Sequence, residues 1–73
     1  MRSSLRVEIA SPPDREKLVA QIMVDNEQWA EINQEGIELE IEFYPRQDGK
    51  PWVIPFNAAL QALEEGRRRL LGT

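Results

Sequence analysis

Residues 37–43 read Ile-Glu-Leu-Glu-Ile-Glu-Phe, a strict alternation of apolar and acidic side chains. Successive side chains of a β-strand point to opposite faces of a sheet, so a period of two predicts a strand with one apolar face. The other face of that strand is lined by carboxylates. We therefore expect a sheet that buries one face and presents acidic side chains on the other.

The size and composition of the chain exclude several kinds of site. With 73 residues, we expect one small domain spanning residues 1–73, which buries about 60% of the surface of its unfolded chain. Cysteine and histidine are both absent. Their absence rules out disulfides, thiolate metal sites and histidine as a general base. We accordingly predict no catalytic residues, no cofactor and no bound metal.

The amino terminus and the hydropathy of the chain bear on its location. The first six residues, Met-Arg-Ser-Ser-Leu-Arg, contain no apolar run of the kind that signal peptides have. No apolar stretch approaches the roughly 20 residues that cross a bilayer. We expect a cytoplasmic protein that does not contact membranes.

The charges are unevenly distributed along the chain. Net charge is -4, and no basic residue lies between Lys17 and Arg46, where seven acidic residues fall. An acidic surface repels phosphates, so we expect no nucleic-acid partner. Arg67, Arg68 and Arg69 are the exception. Near a helix C-terminus they complement the helix dipole, and weak nucleic-acid contact through them is a minor alternative.

The first strand is predicted over residues 5–10, where Leu, Val and Ile alternate with other side chains. Pro12 and Pro13 end it, because proline cannot donate a hydrogen bond to the sheet. Ser11 could be the N-cap of a helix whose first residue is Pro12. Local signals alone therefore leave residues 12–34 open between one long helix and a hairpin.

A hairpin is the better interpretation of that region. A helix would place Asp25, Asn26 and Asn33 on its apolar stripe, which is costly unless each is hydrogen-bonded. Residues 25–27 instead have the composition of a turn. The elements expected are a short helical turn near residues 13–17 and strands over about 18–24 and 28–34.

Two separate turn assignments agree on one apolar layer. A three-residue loop at residues 25–27 places Ile22 opposite Ala30, and a two-residue loop at residues 35–36 places Ala30 opposite Ile41. A slip of one residue in either pairing would turn the layer towards solvent. The predicted layer comprises Ile22, Val24, Ala30, Ile32, Leu39 and Ile41.

The C-terminal third predicts a turn, an edge strand and a helix. Asp48-Gly49 marks the turn, and residues 52–54 form a short strand between two prolines. Asn57 is the expected N-cap of a helix from Ala58 to about Leu71. Gly72 lies past its end.

The fold class that follows is α+β, an antiparallel β-meander of four to five strands with one C-terminal α-helix packed on one face. Leu60, Leu63 and Leu70 are expected to cover the apolar face of the sheet. Gly66 costs about 1 kcal/mol in a helix relative to alanine. We expect it where the helix crosses close to a strand.

The face away from the helix holds the candidate site. The expected register places Glu31 opposite Glu40, and Trp29 opposite Glu42. Aromatic residues and methionine are enriched in the centres of interfaces, and an apolar patch rimmed by polar residues is typical of an interaction surface. Whether Trp29 belongs to that patch or to the core is left open. The candidate partner surface consists of Met23, Trp29, Glu31, Glu40, Glu42, Tyr44 and Trp52.

We therefore predict a non-enzymatic interaction module that binds a protein partner or a second copy of itself. The alternative is a small ligand-binding or hydrolytic domain that uses the clustered glutamates, since carboxylates about 5 to 10 Å apart serve glycosidases. That alternative requires a cavity containing at least two of Glu31, Glu40 and Glu42. A row of glutamates along one strand converges poorly on a single metal ion.

Overall fold

The computed structural model describes residues 5–72. It contains an antiparallel sheet whose strands lie side by side in chain order, with one helix packed on one face. The predicted α+β meander with a C-terminal helix is confirmed, and it has four strands. The elements are β1 (Leu5–Ala10), β2 (Val19–Val24), β3 (Glu27–Asn33), β4 (Glu40–Phe43) and α1 (Phe56–Leu71). None of the helical structure in residues 5–72 is long and apolar enough to span a bilayer.

The connection between β1 and β2 contains a turn instead of a helix. The Arg15 amide donates to the Pro12 carbonyl at 3.2 Å, and the chain then bends towards β2. The helical turn predicted over residues 13–17 was wrong, and Ser11 caps no helix. Two consecutive prolines lack amide donors, so side chains of other elements hold this segment in place.

Residues 12–34 form the predicted hairpin, with a shorter turn than expected. Asp25 and Asn26 make a two-residue turn in which Asp25 adopts φ 54°, a left-handed conformation that aspartate tolerates. The predicted three-residue loop at residues 25–27 was therefore wrong, because its last residue, Glu27, belongs to β3. Val24 pairs with Glu27.

A β-bulge restores the predicted register farther from the turn. Met23 pairs with Gln28 and Ile22 pairs with Ala30, so Trp29 is the extra residue on β3. A bulge of this kind lets two residues of one strand oppose one residue of its neighbour. The predicted pairing of Ile22 with Ala30 is confirmed because the bulge absorbs the one-residue difference.

The β3–β4 pairing is shifted by two residues from the predicted register. Ile32 pairs with Ile41 and Glu31 pairs with Glu42, so the expected pairing of Glu31 with Glu40 was wrong. A shift of two residues keeps each side chain on its predicted face. Trp29 lies opposite Tyr44, whose amide donates to the Trp29 carbonyl at 2.9 Å, and not opposite Glu42.

Contacts of the loop that precedes β4 with the β1–β2 connection account for this shift. The Glu35 carboxylate accepts hydrogen bonds from the amides of Glu16 and Lys17, at 3.4 and 3.2 Å. The Asn33 side-chain oxygen accepts a further bond from the Glu35 amide. Glu35 is thereby held against the β1–β2 connection, so residues 35–36 form no tight turn. Residues 37–39 consequently lie outside the strand predicted for residues 37–43.

The core lies between α1 and the first three strands. Ala20, Ile22, Ala30 and Ile32 are buried beneath Ala62. Leu63 and Leu70 pack on this cluster as predicted, together with Leu5, Val7, Ile9, Trp29 and Leu39. Leu60 was expected to join them but is half exposed.

Gly66 lies at the closest approach of helix and sheet. A Cβ atom at this position would lie 2.9 Å from Ile32 Cδ1 and 3.3 Å from Ala20 Cβ. Contacts below 3.0 Å require a neighbour to move, so glycine lets the helix lie against the sheet. The expectation that Gly66 marks a helix–strand crossing is confirmed.

The helix ends as predicted and begins differently. Gly72 adopts φ 77° and its amide donates to the Arg68 carbonyl, which is a left-handed C-cap. At the other end, the Ala59 amide donates to the Pro55 carbonyl, so Asn57 lies inside the first turn and is not the N-cap. Proline at residue 55 has no amide that must be satisfied before the helix begins.

The segment between β4 and α1 contains no strand, so the predicted edge strand at residues 52–54 was wrong. Trp52 Nε1 donates to the Tyr44 carbonyl at 2.7 Å, and the Arg46 guanidinium lies 5.6 Å from the centroid of the Trp52 ring. The Gln47 amide donates to Glu27. Side-chain contacts thus hold this segment, which has a proline on each side of residues 52–54.

Candidate interaction surface

The acidic face of the sheet is bridged by one arginine. Arg15 Nη2 lies 2.8 Å from a carboxylate oxygen of Glu31 and 2.8 Å from one of Glu42. These two glutamates are direct partners across β3 and β4. Like charges in that position destabilise a sheet unless a cation intervenes. Arg15 is that cation, and the residues around it on the β1–β2 connection are thereby drawn onto this face.

The Arg15 bridge buries polar groups that the sequence places on an exposed face. Glu31 and Asn33 each retain only 4% of their accessible surface, and Val19 on β2 is fully buried. Desolvating a carboxylate is costly unless an opposite charge compensates it. One end of the acidic face is therefore a packed polar layer, and it offers less surface to a partner than the sequence predicts.

A shallow groove remains beside the Arg15 bridge. It has a volume of about 440 Å³, and it is lined by Arg15, Asn33, Glu40, Ile41 and Glu42. Glu40 and Glu42 in this groove meet the condition of the hydrolytic alternative, which requires at least two of Glu31, Glu40 and Glu42. The carboxylate of Glu42, however, already accepts bonds from Arg15 and from the Tyr44 hydroxyl. Across residues 5–72 no group of three or more acidic side chains is arranged to hold a metal ion.

Tyr44 is the single tyrosine of the chain, so its titration can be measured without interference from another tyrosine. It lies beside the cluster formed by Arg15, Glu31 and Glu42. Its hydroxyl donates to Glu42 at 3.0 Å. The pKa of Tyr44 is raised from 10.0 to about 12, first by burial and then by the hydrogen bond to Glu42 and the negative charges of Glu31 and Glu42, while the charge of Arg15 opposes the shift. The neutral phenol is therefore the form that the folded state favours.

We expect alkaline titration, followed by tyrosinate absorbance at 295 nm, to give a midpoint near 12 in the folded protein. Because the pKa of Tyr44 is higher folded than unfolded, its stabilising contribution is complete below pH 10 and is lost as the pH rises towards 12. Glu42→Gln should lower the midpoint, since it removes a negative charge beside the phenol. A midpoint near 10 while circular dichroism still shows folded protein would contradict this geometry.

The predicted aromatic patch is divided between the two faces of the sheet. Met23 lies on the acidic face, where it pairs with Arg6 of β1. Trp29 lies on the helix side, because the bulge turns it towards the core cluster against which it packs. Its ring centroid is 5.5 Å from that of Phe43. Trp29 therefore contributes to the edge of the core, and the outer face lacks its expected aromatic centre.

Apolar side chains are exposed where the helix does not cover the sheet. Helix α1 packs mainly on β1 and β2 and only slightly on β3. Ile41 and Phe43 of β4, whose strand partners Ile32 and Ala30 are core residues, are 45% and 57% exposed. The helix side of β4 is thus apolar and open to solvent.

Helix α1 also exposes apolar side chains. Phe56 and Leu60, one turn apart, are 77% and 50% exposed. Arg69 Nη1 donates to the Val7 carbonyl at 2.7 Å, and Leu60 lies half a rotation from Arg69, on the flank of α1 away from β1. The surface formed by Trp29, Ile41 and Phe43 is called the apolar strip below.

The remaining candidate residues lie elsewhere. Trp52 is half-buried near the β2–β3 turn, beneath Arg46. Arg67 pairs with Glu64, and Arg69 pairs with Glu65 while also bonding to Val7. Two of the three C-terminal arginines are thus engaged within the fold. The arginine that joins Glu31 to Glu42 was not foreseen, and nothing in its local sequence marks it.

Comparisons with protein-family models, with curated proteins and with solved structures find no significant match to this chain.

Proposed function

We propose that this protein is a non-enzymatic interaction module whose apolar strip binds a partner protein. The observation that carries the proposal is the exposure of Ile41 and Phe43 on the side of the sheet that elsewhere forms the core. Monomeric proteins rarely expose contiguous apolar patches of large area, and such patches rimmed by polar residues mark interaction sites. Glu40 and Glu42 supply that rim on the opposite side of β4.

The composition of the strip also favours a protein partner. Phe43 stands against Trp29, whose packing on the core fixes one side of the pair. Partly anchored aromatic residues lose little side-chain entropy on binding and often dominate the binding energy of interfaces. A partner protein that covers the apolar strip would remove these exposed side chains from water.

The acidic face gives less support to the hydrolytic alternative. One carboxylate oxygen of Glu31 and one of Glu42 already contact Arg15, and the same Glu42 oxygen accepts a hydrogen bond from Tyr44, so Glu40 is the one glutamate of the groove without such a contact. Nucleic-acid binding is disfavoured by the net charge of -4 and by the ion pairs of Arg67 and Arg69. The proposal places the module in the cytoplasm, where a chain without cysteine needs no oxidising compartment.

The proposal is tested with three immobilised baits in lysate of the source cell: the natural chain, Phe43→Glu and Val53→Glu. Val53 is the matched control, because it is exposed and apolar but lies outside the strip. We expect at least one protein whose recovery falls about tenfold on Phe43→Glu, as loss of an interface anchor predicts, and is unchanged on Val53→Glu. Both variants change exposed side chains and should fold normally. Equal recovery on all three baits would contradict the proposal.

A further inference from the structure

Strand β4 has an outer edge beside which no other strand of residues 5–72 lies. It ends the sheet order β1-β2-β3-β4, and its four residues are all exposed. At the other end of the sheet, β1 is partly covered, because Arg69 donates to the Val7 carbonyl. Within residues 5–72, the β4 edge is therefore the less protected of the two.

The backbone groups on that edge can be assigned from one hydrogen bond. The Tyr44 amide donates to the Trp29 carbonyl on β3 at 2.9 Å. In a planar trans peptide the preceding carbonyl, that of Phe43, points the opposite way. Alternation along the strand then turns the amide and carbonyl groups of both Ile41 and Phe43 away from β3. These groups form a template for one further strand.

Natural sheets protect such an edge with charged side chains, especially lysine, with proline, a bulge, a very short strand or a covering element. Strand β4 reads Glu-Ile-Glu-Phe, so its protection consists of its shortness and the negative charges of Glu40 and Glu42, which do not repel a basic segment. The bulge of this sheet lies in the β2–β3 pairing, away from the edge. The first proline after the strand is Pro45. The edge is therefore available for pairing over the whole length of β4.

The charges on β4 disfavour a second copy as the occupant. Two copies of β4 can pair antiparallel through the outward backbone groups of Ile41 and Phe43. Two registers do so with three residues of each strand paired. One places Glu42 opposite Glu42, and the other places Glu40 opposite Glu42. Like charges directly opposite each other destabilise a sheet. The carboxylates of Glu38 and Glu40 also have no hydrogen-bond or ion-pair partner among residues 5–72.

We propose that the β4 edge binds an extended segment of a partner protein by strand addition, and that the segment alternates basic with large apolar residues. Its basic side chains lie beside Glu40 and Glu42, and its apolar side chains lie beside Ile41 and Phe43. The backbone template supplies the pairing, and the alternation supplies the selectivity. This inference rests on the proposed function and specifies its partner.

The probe is a capped six-residue peptide that alternates lysine and valine, titrated into the ¹⁵N-labelled full chain. We expect chemical-shift changes centred on β4 and slower hydrogen exchange of the Ile41 and Phe43 amides. Glu40→Lys, a change at an exposed carboxylate without a partner in residues 5–72, should weaken binding about tenfold, since one attraction becomes a repulsion. A peptide with three lysines followed by three valines should bind at least several-fold more weakly, because its charges cannot match the alternation.

A peptide of the same sequence that is N-methylated at every residue separates this inference from the proposed function. It retains the side chains but cannot donate backbone hydrogen bonds, so strand addition predicts loss of binding. If it binds as tightly as the parent peptide, or if neither peptide binds, strand addition is overturned, whereas the Phe43→Glu bait comparison still decides the proposed function. Protected Ile41 and Phe43 amides in the free chain that lose protection on dilution would show a second copy at the edge, which also overturns the inference.

Discussion

Replacing Arg15 with methionine is expected to lower the melting temperature by about 10 °C, because removal of one member of a buried ion pair leaves the other charge uncompensated. The charge left behind belongs to Glu31, which is 4% exposed. Methionine retains much of the aliphatic length of arginine, so the loss reports on charge more than on packing. Thermal unfolding followed by circular dichroism measures the change.

Two further variants make this prediction specific. Glu31→Gln in the Arg15→Met background removes the uncompensated charge and should recover most of the lost stability, which a double-mutant cycle quantifies. Arg67→Met removes an ion pair with Glu64 in which both side chains are about half exposed, and it should change the melting temperature little. Equal effects of Arg15→Met and Arg67→Met would show that Arg15 does not bridge the two glutamates.

Replacing Gly66 with leucine is expected to destabilise the fold by about 3 kcal/mol, the upper part of the usual range for overpacking. Even a Cβ atom at this position meets Ile32 at 2.9 Å and Ala20 at 3.3 Å. The Ile32 terminal methyl can rotate away, but the Ala20 methyl is fixed to the strand. Helix α1 must therefore move off the sheet. Urea denaturation gives the free energy of unfolding.

Gly66→Ala and Gln61→Leu serve as comparisons for this variant. Alanine gains about 1 kcal/mol of helix propensity over glycine, and at residue 66 we expect the close contact to cancel that gain. Gln61 is exposed on the helix, so leucine there should be nearly neutral. A Gly66→Leu variant as stable as the natural chain would refute the close approach of helix and sheet.

The local patterns of the sequence predicted most of the architecture. Strand β1 has its predicted bounds, and β2 and β3 differ from theirs by one residue at the ends. Side-chain alternation is a property of neighbouring residues, so these strands could be recognised without knowing their partners. Gly66 and Gly72 were interpreted correctly for the same reason, since each follows from its position along the helix.

The features that failed depend on residues far apart in the chain. Glu35 is held by amides of residues 16 and 17, and this contact shifted the β3–β4 register by two. Arg15 reaches Glu31 and Glu42 from another loop, and no local pattern predicts that reach. The bulge at Trp29 could have been anticipated, because a two-residue turn at Asp25-Asn26 leaves one residue to be absorbed.

Those same contacts determine where the candidate surface lies. The bulge moves Trp29 to the helix side, where it stands beside Phe43. The Arg15 bridge occupies much of the acidic face on which the sequence placed the partner surface. We propose that β4, with its apolar side and its free edge, is the part of the sheet open to a partner.

Amide hydrogen exchange of the free protein, measured residue by residue by NMR, tests that claim most directly. Outward-pointing amides at an open edge should exchange within about tenfold of an unstructured peptide, whereas amides within the ladder are protected by the stability of the fold. We predict fast exchange for Ile41 and Phe43 and slow exchange for Glu42 between them and for Ile22 in the core. Slow exchange of Ile41 and Phe43 in a dilute, monomeric sample would contradict the account, because it would show that another part of the chain already covers β4.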